Sequence, residues 1–415
     1  MYVCSKFIVS KMSSVEAETI GLVAKAFSEE PNNIEIIDVK GNDIGRGYSS
    51  EVLFIFAKNK RTGSQRRFII KQALPDSNGV SSQITAFSFH NEKMFYLTVF
   101  PALINFQKLH NSNNVFNNMA ECYGAITEPS KEKLIFEDLT FQGYEIFPST
   151  EKLLDTSMYE VLFKVYGRLH GISYAFKHYQ KEKFFEMKEQ FRGVFQLFIE
   201  QDKFIGDLEN VIERVERYLK EENEIDASKK LKIHKDNCKK ILMEALEDRG
   251  PNIVFIHGDA WSNNILYKYD DKRKLEDIKI IDFQVSNIAT PIIDISYSFY
   301  TGASPEALDN LDHLHQVYYK SVTDTLKQYG CNPQEILTYK AFKEEWKKYV
   351  LYGLLTGLII WSIKCTDKDK GATNVGEYLS EECADGSKSL FNPNEERFKK
   401  VSLALIRHFQ KYDFL

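Results

Sequence analysis

Val254-Phe255-Ile256-His257-Gly258-Asp259-Ala260-Trp261-Ser262-Asn263-Asn264-Ile265-Leu266-Tyr267, followed at a short distance by Lys279-Ile280-Ile281-Asp282-Phe283-Gln284, is the stretch that decides the fold. An apolar run ends in His257-Gly258-Asp259, and a loop of four residues leads from Asp259 to Asn264. A second apolar run ends in Asp282. Short apolar runs rich in Val, Ile and Phe and bounded by polar residues read as strands. The polar stretch Asp270 to Lys274 reads as the turn that makes the two strands a hairpin. Such a hairpin holds Asp259, Asn264 and Asp282 at one end.

Phosphoryl transfer needs groups of this kind. A carboxylate must orient a hydroxyl and take its proton, which suits Asp259. An amide oxygen and a second carboxylate suit Mg²⁺, which prefers oxygen ligands, so Asn264 and Asp282 are the candidate metal ligands. The protein-kinase pattern H-R-D-x-x-x-x-N followed by D-F-G places the same groups in the same order. His257 and Asp294, the latter in Pro291-Ile292-Ile293-Asp294, read as structural supports of the loop. His170 and Trp261 read as core or pocket-wall residues.

Upstream residues supply further parts in order. Lys71 ends the strand Phe68-Ile69-Ile70 and is placed to reach the nucleotide phosphates. Glu92, in a helical stretch after it, is placed to pair with Lys71. Gly45, Gly47, Ser49 and Ser50 lie in a degenerate glycine loop, where backbone N–H groups could face phosphate oxygens. An ordinary turn fits that loop equally well. Glu137 and Leu139 fall in a linker where adenine would meet backbone groups.

Outward from these motifs the chain divides in two. Glu51–Ala57 and Phe68–Lys71 read as an antiparallel hairpin, with further short strands at Glu121–Ile126 and Lys133–Phe136. After Leu139 apolar residues recur at i, i+3 and i+4, as in Val161, Leu162, Val165, Leu169 and Ile172, and this is amphipathic helix. Strand character returns only at Asn252–Ile256 and Ile278–Ile281. The expected fold is α+β and bilobal. Residues 1–138 form a small antiparallel-sheet, nucleotide-binding lobe, with 1–15 read as a flexible lead. Residues 139–415 form a large, mainly helical lobe, in which the charged helical region 182–249 covers the acceptor. Phe184, Phe185, Phe191, Phe195, Phe198 and Phe204 in that region suit a flat apolar acceptor, and helix core equally.

Composition narrows the classes. The 415 residues carry 54 Lys plus Arg against 59 Asp plus Glu, a net charge of −5, which argues against a nucleic-acid partner. The apolar stretch Val350–Ile363 is shorter than the roughly 18 residues of a membrane span and reads as a buried helix. Cys4, Cys122, Cys238, Cys331, Cys365 and Cys383 show no C-x-x-C spacing, so neither a zinc site nor a disulfide framework is expected. That points to a reducing, cytoplasmic setting.

The ordered set of motifs resembles the ecdysteroid-kinase-like (CHK-kinase-like) family, within the aminoglycoside phosphotransferase and choline kinase group. The resemblance rests on His257-Gly-Asp259 to Asn264, Asp282-Phe283-Gln284, Pro291 to Asp294, Phe136-Glu137-Asp138-Leu139, Leu169 to Ser173 and Phe89 to Tyr96. It implies a protein-kinase-like fold and transfer of phosphate from ATP, with Mg²⁺, to a hydroxyl of a small molecule, with ecdysteroids the best-known acceptors. Only about a dozen residues separate Asp282 from Asp294, and there is no A-P-E, which leaves no room for the peptide-docking segment of a protein kinase. The competing reading is a catalytically silent nucleotide-binding module that acts through partners.

Overall fold

Alternation along one strand sets the orientation of the small lobe. In Gln65–Ala73 successive side chains point to opposite faces. Phe68 and Ile70 join a small core with Leu22, Val23, Ile55, Ala57 and Ile135, while Ile69 and Ala73 pack against the main core. Lys71 shares the face of Ile69 and Ala73, so it points toward the large lobe. The computed structural model describes residues 17–41, 50–73, 79–110, 114–129, 131–247, 250–366, 378 and 391–415. The expected lead 1–15 and the glycine-loop residues Gly45, Gly47 and Ser49 lie outside the described residues. Ser50 is buried at the start of its strand.

The described small lobe is an antiparallel sheet. Its strands are β1 (Ile34–Gly41), β2 (Ser50–Asn59), β3 (Gln65–Ala73), β4 (Cys122–Ile126) and β5 (Lys133–Glu137), in the order β1-β2-β3-β5-β4. Lys71 sits opposite Val52 on one side and Leu134 on the other. Helix α1 (Ala17–Ala26) lies over the outer face. Helix α2 (Gly79–Met94) continues through a π-helical turn (Phe95–Val99) into α3 (Phe100–Leu109). Phe89, Met94, Phe95, Val99, Leu103 and Phe106 belong to the main core, so α2 and α3 pack with the large lobe.

Asp138 marks the crossing between lobes. Its carboxylate accepts the Thr140 N–H at 3.0 Å and starts a 3₁₀ turn over Leu139–Gln142. Gly143, at φ +85°, ends that turn.

The large lobe holds α4 (Thr156–Tyr179), α5 (Lys181–Lys188), α6 (Val194–Ile199), α7 (Asp202–Glu221), α8 (Ile225–Lys235) and α9 (Cys238–Leu246), then the loop-bearing strands, then α10 (Ile292–Tyr300), α11 (Pro305–Asp309), α12 (Leu311–Gln328), α13 (Pro333–Ile336), α14 (Tyr339–Cys365) and α15 (Glu395–Lys411). Helix α10 is buried along its whole length and lies against α14. The approach is close: a Cβ on Gly353 would sit 2.7 Å from Ser296, and one on Gly357 3.1 Å from the Tyr300 carbonyl. The apolar part of the α14 region is 83% buried inside the protein.

The pairing of the loop-bearing strands corrects the expected hairpin. Strand β7 (Val254–Ile256) pairs with β10 (Asn287–Ala289), not with the strand that ends at Asp282. The hairpin is formed by β8 (Ile265–Tyr269) and β9 (Leu275–Ile280), with β6 (Tyr144–Ile146) on its other edge. The turn at Asp270–Lys274 is real, closed by the Asp270 N–H to the Lys274 carbonyl at 2.9 Å. Strand β8 begins directly after Asn264 with no breaker, which hid it in the sequence. Strands β6 and β10 have three residues each, too few to show a period.

Candidate active site

Asp294 builds the loop that carries Asp259. It is fully buried, and its Oδ2 accepts the His257 N–H at 2.7 Å while Oδ1 accepts the Gly258 N–H at 2.8 Å. His170 Nε2 lies 3.1 Å from Oδ2, and its Nδ1 lies 2.9 Å from the Tyr318 hydroxyl. The His257 ring accepts the Asp259 N–H on Nδ1 at 3.1 Å, so Nε2 carries the proton and donates to the Ile281 carbonyl at 2.8 Å. His257 therefore ties the Asp259 loop to the residue before Asp282. The Ile281 N–H in turn donates to the Asn264 carbonyl at 3.0 Å. These short links bring Asp259, Asn264 and Asp282 together.

Gly258 needs its missing side chain. Its φ is +83°, and a Cβ there would stand 2.4 Å from the Val285 carbonyl oxygen. Asp282 also has left-handed backbone, with φ 68° and ψ 64°. Such conformations cost a non-glycine residue of order 1–3 kcal/mol and gather at functional sites.

Both oxygens of Asp259 are held. Asn264 Nδ2 donates to Oδ2 at 2.8 Å and to the Asp259 carbonyl at 3.0 Å. The Tyr297 hydroxyl donates to Oδ1 at 2.7 Å. Burial raises the Asp259 carboxyl above its ordinary value, and these two donors pull it back. A raised carboxyl is a better proton acceptor than a free aspartate. Because the Asn264 amide nitrogen faces Asp259, its Oδ1 is the atom left to meet a cation.

Lys71 bridges two carboxylates across the cleft. Its Nζ is 2.7 Å from Glu92 Oε2 and 2.6 Å from Asp282 Oδ1. Burial alone would lower this ammonium, but the charges of Asp282 and Glu92 outweigh it and hold the group well above the ordinary lysine range. Burial pushes Glu92 upward against the pull of Lys71, and the Phe283 N–H also bonds its carboxylate. Two carboxylates share one ammonium, and Glu92, the more deeply buried, carries the strain of that arrangement.

The helix that bears Glu92 is fastened to the large lobe. Asn91 Nδ2 donates to the Arg192 carbonyl at 2.8 Å, and the Arg192 N–H donates back to Asn91 Oδ1 at 2.9 Å. His90 Nε2 meets the Gln190 carbonyl at 2.8 Å. Phe95 stacks on Phe283 at 3.9 Å between centroids, and Tyr96 meets the same ring edge-on.

A profile described as the ecdysteroid kinase-like family matches residues 44–331. The chain belongs to the ecdysteroid kinase-like family. Membership makes it a small-molecule phosphotransferase of the kinase-like superfamily. A solved choline kinase from Cryptosporidium parvum Iowa II is similar at 14% identity and a TM-score of 0.44, covering 95% of this chain and 96% of that one. No curated protein matches the chain.

In this family member the residues singled out from sequence fall into three groups. Asp259, Asn264, Asp282, Lys71 and Glu92 converge, and His257 and Asp294 support them through backbone bonds. The linker residues stand apart: the Glu137 N–H bonds the Glu121 carbonyl at 3.0 Å, its carboxylate takes the Glu121 N–H and Gln142 Nε2, and Leu139 is buried. Of the aromatic residues, Phe184 and Phe191 pack on Phe255 as core, whereas Phe195 approaches Tyr352 at 6.2 Å. Sequence reasoning missed Tyr297, Asn91 and Phe95. The only sequence signal for Tyr297 is its position three residues after Asp294, one helical turn along.

Proposed function

We propose that this family member transfers the γ-phosphoryl group of MgATP to a hydroxyl of an apolar small molecule, an ecdysteroid or a related steroid or xenobiotic. The observation that carries the reading is the doubly held Asp259 carboxylate beside the Lys71, Glu92 and Asp282 bridge. Asp259 accepts the proton of the acceptor hydroxyl as the new P–O ester bond forms. The bond from the γ-phosphorus to the bridging oxygen breaks, and that electron pair leaves on ADP. Lys71, kept cationic by its two carboxylates, offers its charge to the nucleotide phosphates. Asn264 Oδ1 and Asp282 fit a hard cation held mainly by oxygen, and Mg²⁺ would neutralise phosphate charge when bound there.

The acceptor reading rests on aromatic side chains beside Asp259. Tyr297 and Tyr352 both lie within reach of its charge, which adds to burial in raising their hydroxyls. Trp261 follows Asp259 on the same loop, and Phe195 reaches Tyr352 from α6. Helices α5 to α9 would close over this side. The described cysteines are free thiols, which supports a reducing, cytoplasmic setting.

The test is incubation with MgATP and a panel of hydroxylated steroids and xenobiotics, read by mass for the gain of one phosphoryl group. A phosphorylated ecdysteroid supports the full reading. Another phosphorylated alcohol keeps the chemistry and replaces the acceptor. A silent nucleotide-binding module would bind MgATP and yield no phosphorylated product.

A further inference from the structure

Helix α10 touches the catalytic loop twice. Asp294 and Tyr297 are three residues apart, so they leave one face of the helix one turn apart. Asp294 holds the loop backbone at His257 and Gly258, and Tyr297 reaches the side chain of the next residue, Asp259. Asn264, from the far end of the loop, holds the other carboxylate oxygen. An aspartate carboxylate turns easily about its last bond, because that torsion has a broad, shallow preference. One donor leaves this rotation open. Two donors, on opposite oxygens and from different elements, fix the plane.

The Tyr297 hydroxyl is suited to that task. It is 6% exposed, and burial together with the Asp259 charge keeps its proton on, so it acts as a donor. Its helix cannot drift, because Gly353 and Gly357 of α14 lie directly against Ser296 and Tyr300.

We propose that Tyr297 is a positioning residue of the transfer reaction, fixing the plane of the Asp259 carboxylate so that the acceptor hydroxyl meets an aligned lone pair. The role rests on the kinase reading above. Tyr297 makes no bond in the reaction and gives up no proton. It acts through Asp259, whose contribution as a base depends on alignment with the acceptor oxygen.

The test compares wild type, Tyr297→Phe and Tyr300→Phe, all as full-length protein. Tyr300→Phe removes a fully buried hydroxyl from the same helix, one that lies 3.2 Å from His408 Nε2. It is the control for mere loss of packing. Transfer from radiolabelled ATP is followed to the panel of hydroxylated steroids and xenobiotics and to water, nucleotide affinity with a fluorescent ATP analogue, and stability by thermal unfolding. For Tyr297→Phe, kcat falls roughly 10–100-fold, while KM for ATP and nucleotide affinity stay within about twofold of wild type. Its melting temperature follows that of Tyr300→Phe, which keeps wild-type kcat. A Tyr297→Phe enzyme with wild-type kcat overturns the role. So does one that loses kcat, nucleotide affinity and melting temperature in step, since that is the mark of structural damage. A wild type that transfers phosphate to neither alcohol nor water overturns the kinase reading and this role together, and the wild-type arm separates that failure from the other two.

Discussion

Replacing Gly258 with alanine tests the catalytic loop at its tightest point. At φ +83° an L-residue pays about 1–2 kcal/mol in backbone strain. The new Cβ would also stand 2.4 Å from the Val285 carbonyl oxygen, 3.0 Å from its carbon and 3.2 Å from Val285 Cγ1. Neither side can give way cheaply. Gly258 is held by Asp294 at 2.8 Å. Beyond Val285, Ser286 Oγ donates to the Ile256 carbonyl at 2.7 Å, and Asn287 pairs with Ile256 in the sheet. Overpacking of this kind costs about 1–3 kcal/mol. The sum is about 2–5 kcal/mol. At about 2–4 °C per kcal/mol for a large domain, the melting temperature should fall by roughly 10 °C. The loop must shift by a sizeable fraction of an ångström beside Asp259, and misplacement on the ångström scale costs about 100-fold in rate. Thermal unfolding and turnover measured together check both figures. Gly206→Ala is the control, because a Cβ there meets nothing within 4 Å and alanine favours helix. A Gly258→Ala protein that melts and turns over like wild type refutes the account of the loop.

Three further perturbations separate the parts of the site. Asp259→Asn should retain MgATP binding and lose at least roughly 100-fold in turnover, and unchanged turnover removes Asp259 as the base. Asp282→Ala should lose the Mg²⁺-dependent part of nucleotide affinity, read by titrating a fluorescent ATP analogue with and without Mg²⁺; a variant that keeps the wild-type gain in affinity on adding Mg²⁺ removes Asp282 from the metal site. Lys364 is a pH probe. It is 6% exposed, donates to the Thr301 carbonyl at 2.7 Å and lies over Trp361 and Trp261. Burial, helped by the Arg397 charge, lowers it from 10.5 to about 7. Between those values the unfolded chain holds the proton more readily than the folded one, so this group's contribution to stability rises from about pH 7 to 10.5 and is lost as pH falls toward 7. Lys364→Met removes that slope. The variant should gain most on wild type near pH 7 and below, by a few kcal/mol at most after the lost hydrogen bond, and the gain should vanish above pH 10.5. Parallel melting curves against pH would count against the buried charge.

Features read from the sequence were those written in periodicity or in a fixed spacing. The i, i+3, i+4 recurrence at Val161 to Ile172 marks a helix that the structure extends over Thr156–Tyr179. The five-residue step from Asp259 to Asn264 was legible because a short loop forces it, and the structure closes that step with a 2.8 Å bond. The antiparallel pairing of Glu51–Ala57 with Phe68–Lys71 was legible and the structure forms it, but the partner of the strand before Asp259 was not. Val254–Ile256 carries no mark that its neighbour is Asn287–Ala289, a choice made by the chain's path after Asp282. Tyr297 was hidden for a related reason. Every residue of α10 is buried, and only the arrival of Asp259 from another element distinguishes the Tyr297 hydroxyl from that of any core tyrosine. Asn91 was equally silent, since its partner Arg192 lies 101 residues away.

The clamp between Asn91 and Arg192 has a consequence for motion. It assigns Glu92 to the large lobe, while Lys71 rides on the small sheet. The 2.7 Å pair between them is therefore a buried latch between the lobes, and Asp282 is its second catch. Under the proposed reaction, parting the lobes to admit ATP or release ADP would require Lys71 to leave both carboxylates at once. The contact that would ready the lysine for phosphate would then also resist opening, and bound nucleotide phosphates, by taking over the lysine, would ease the latch from within.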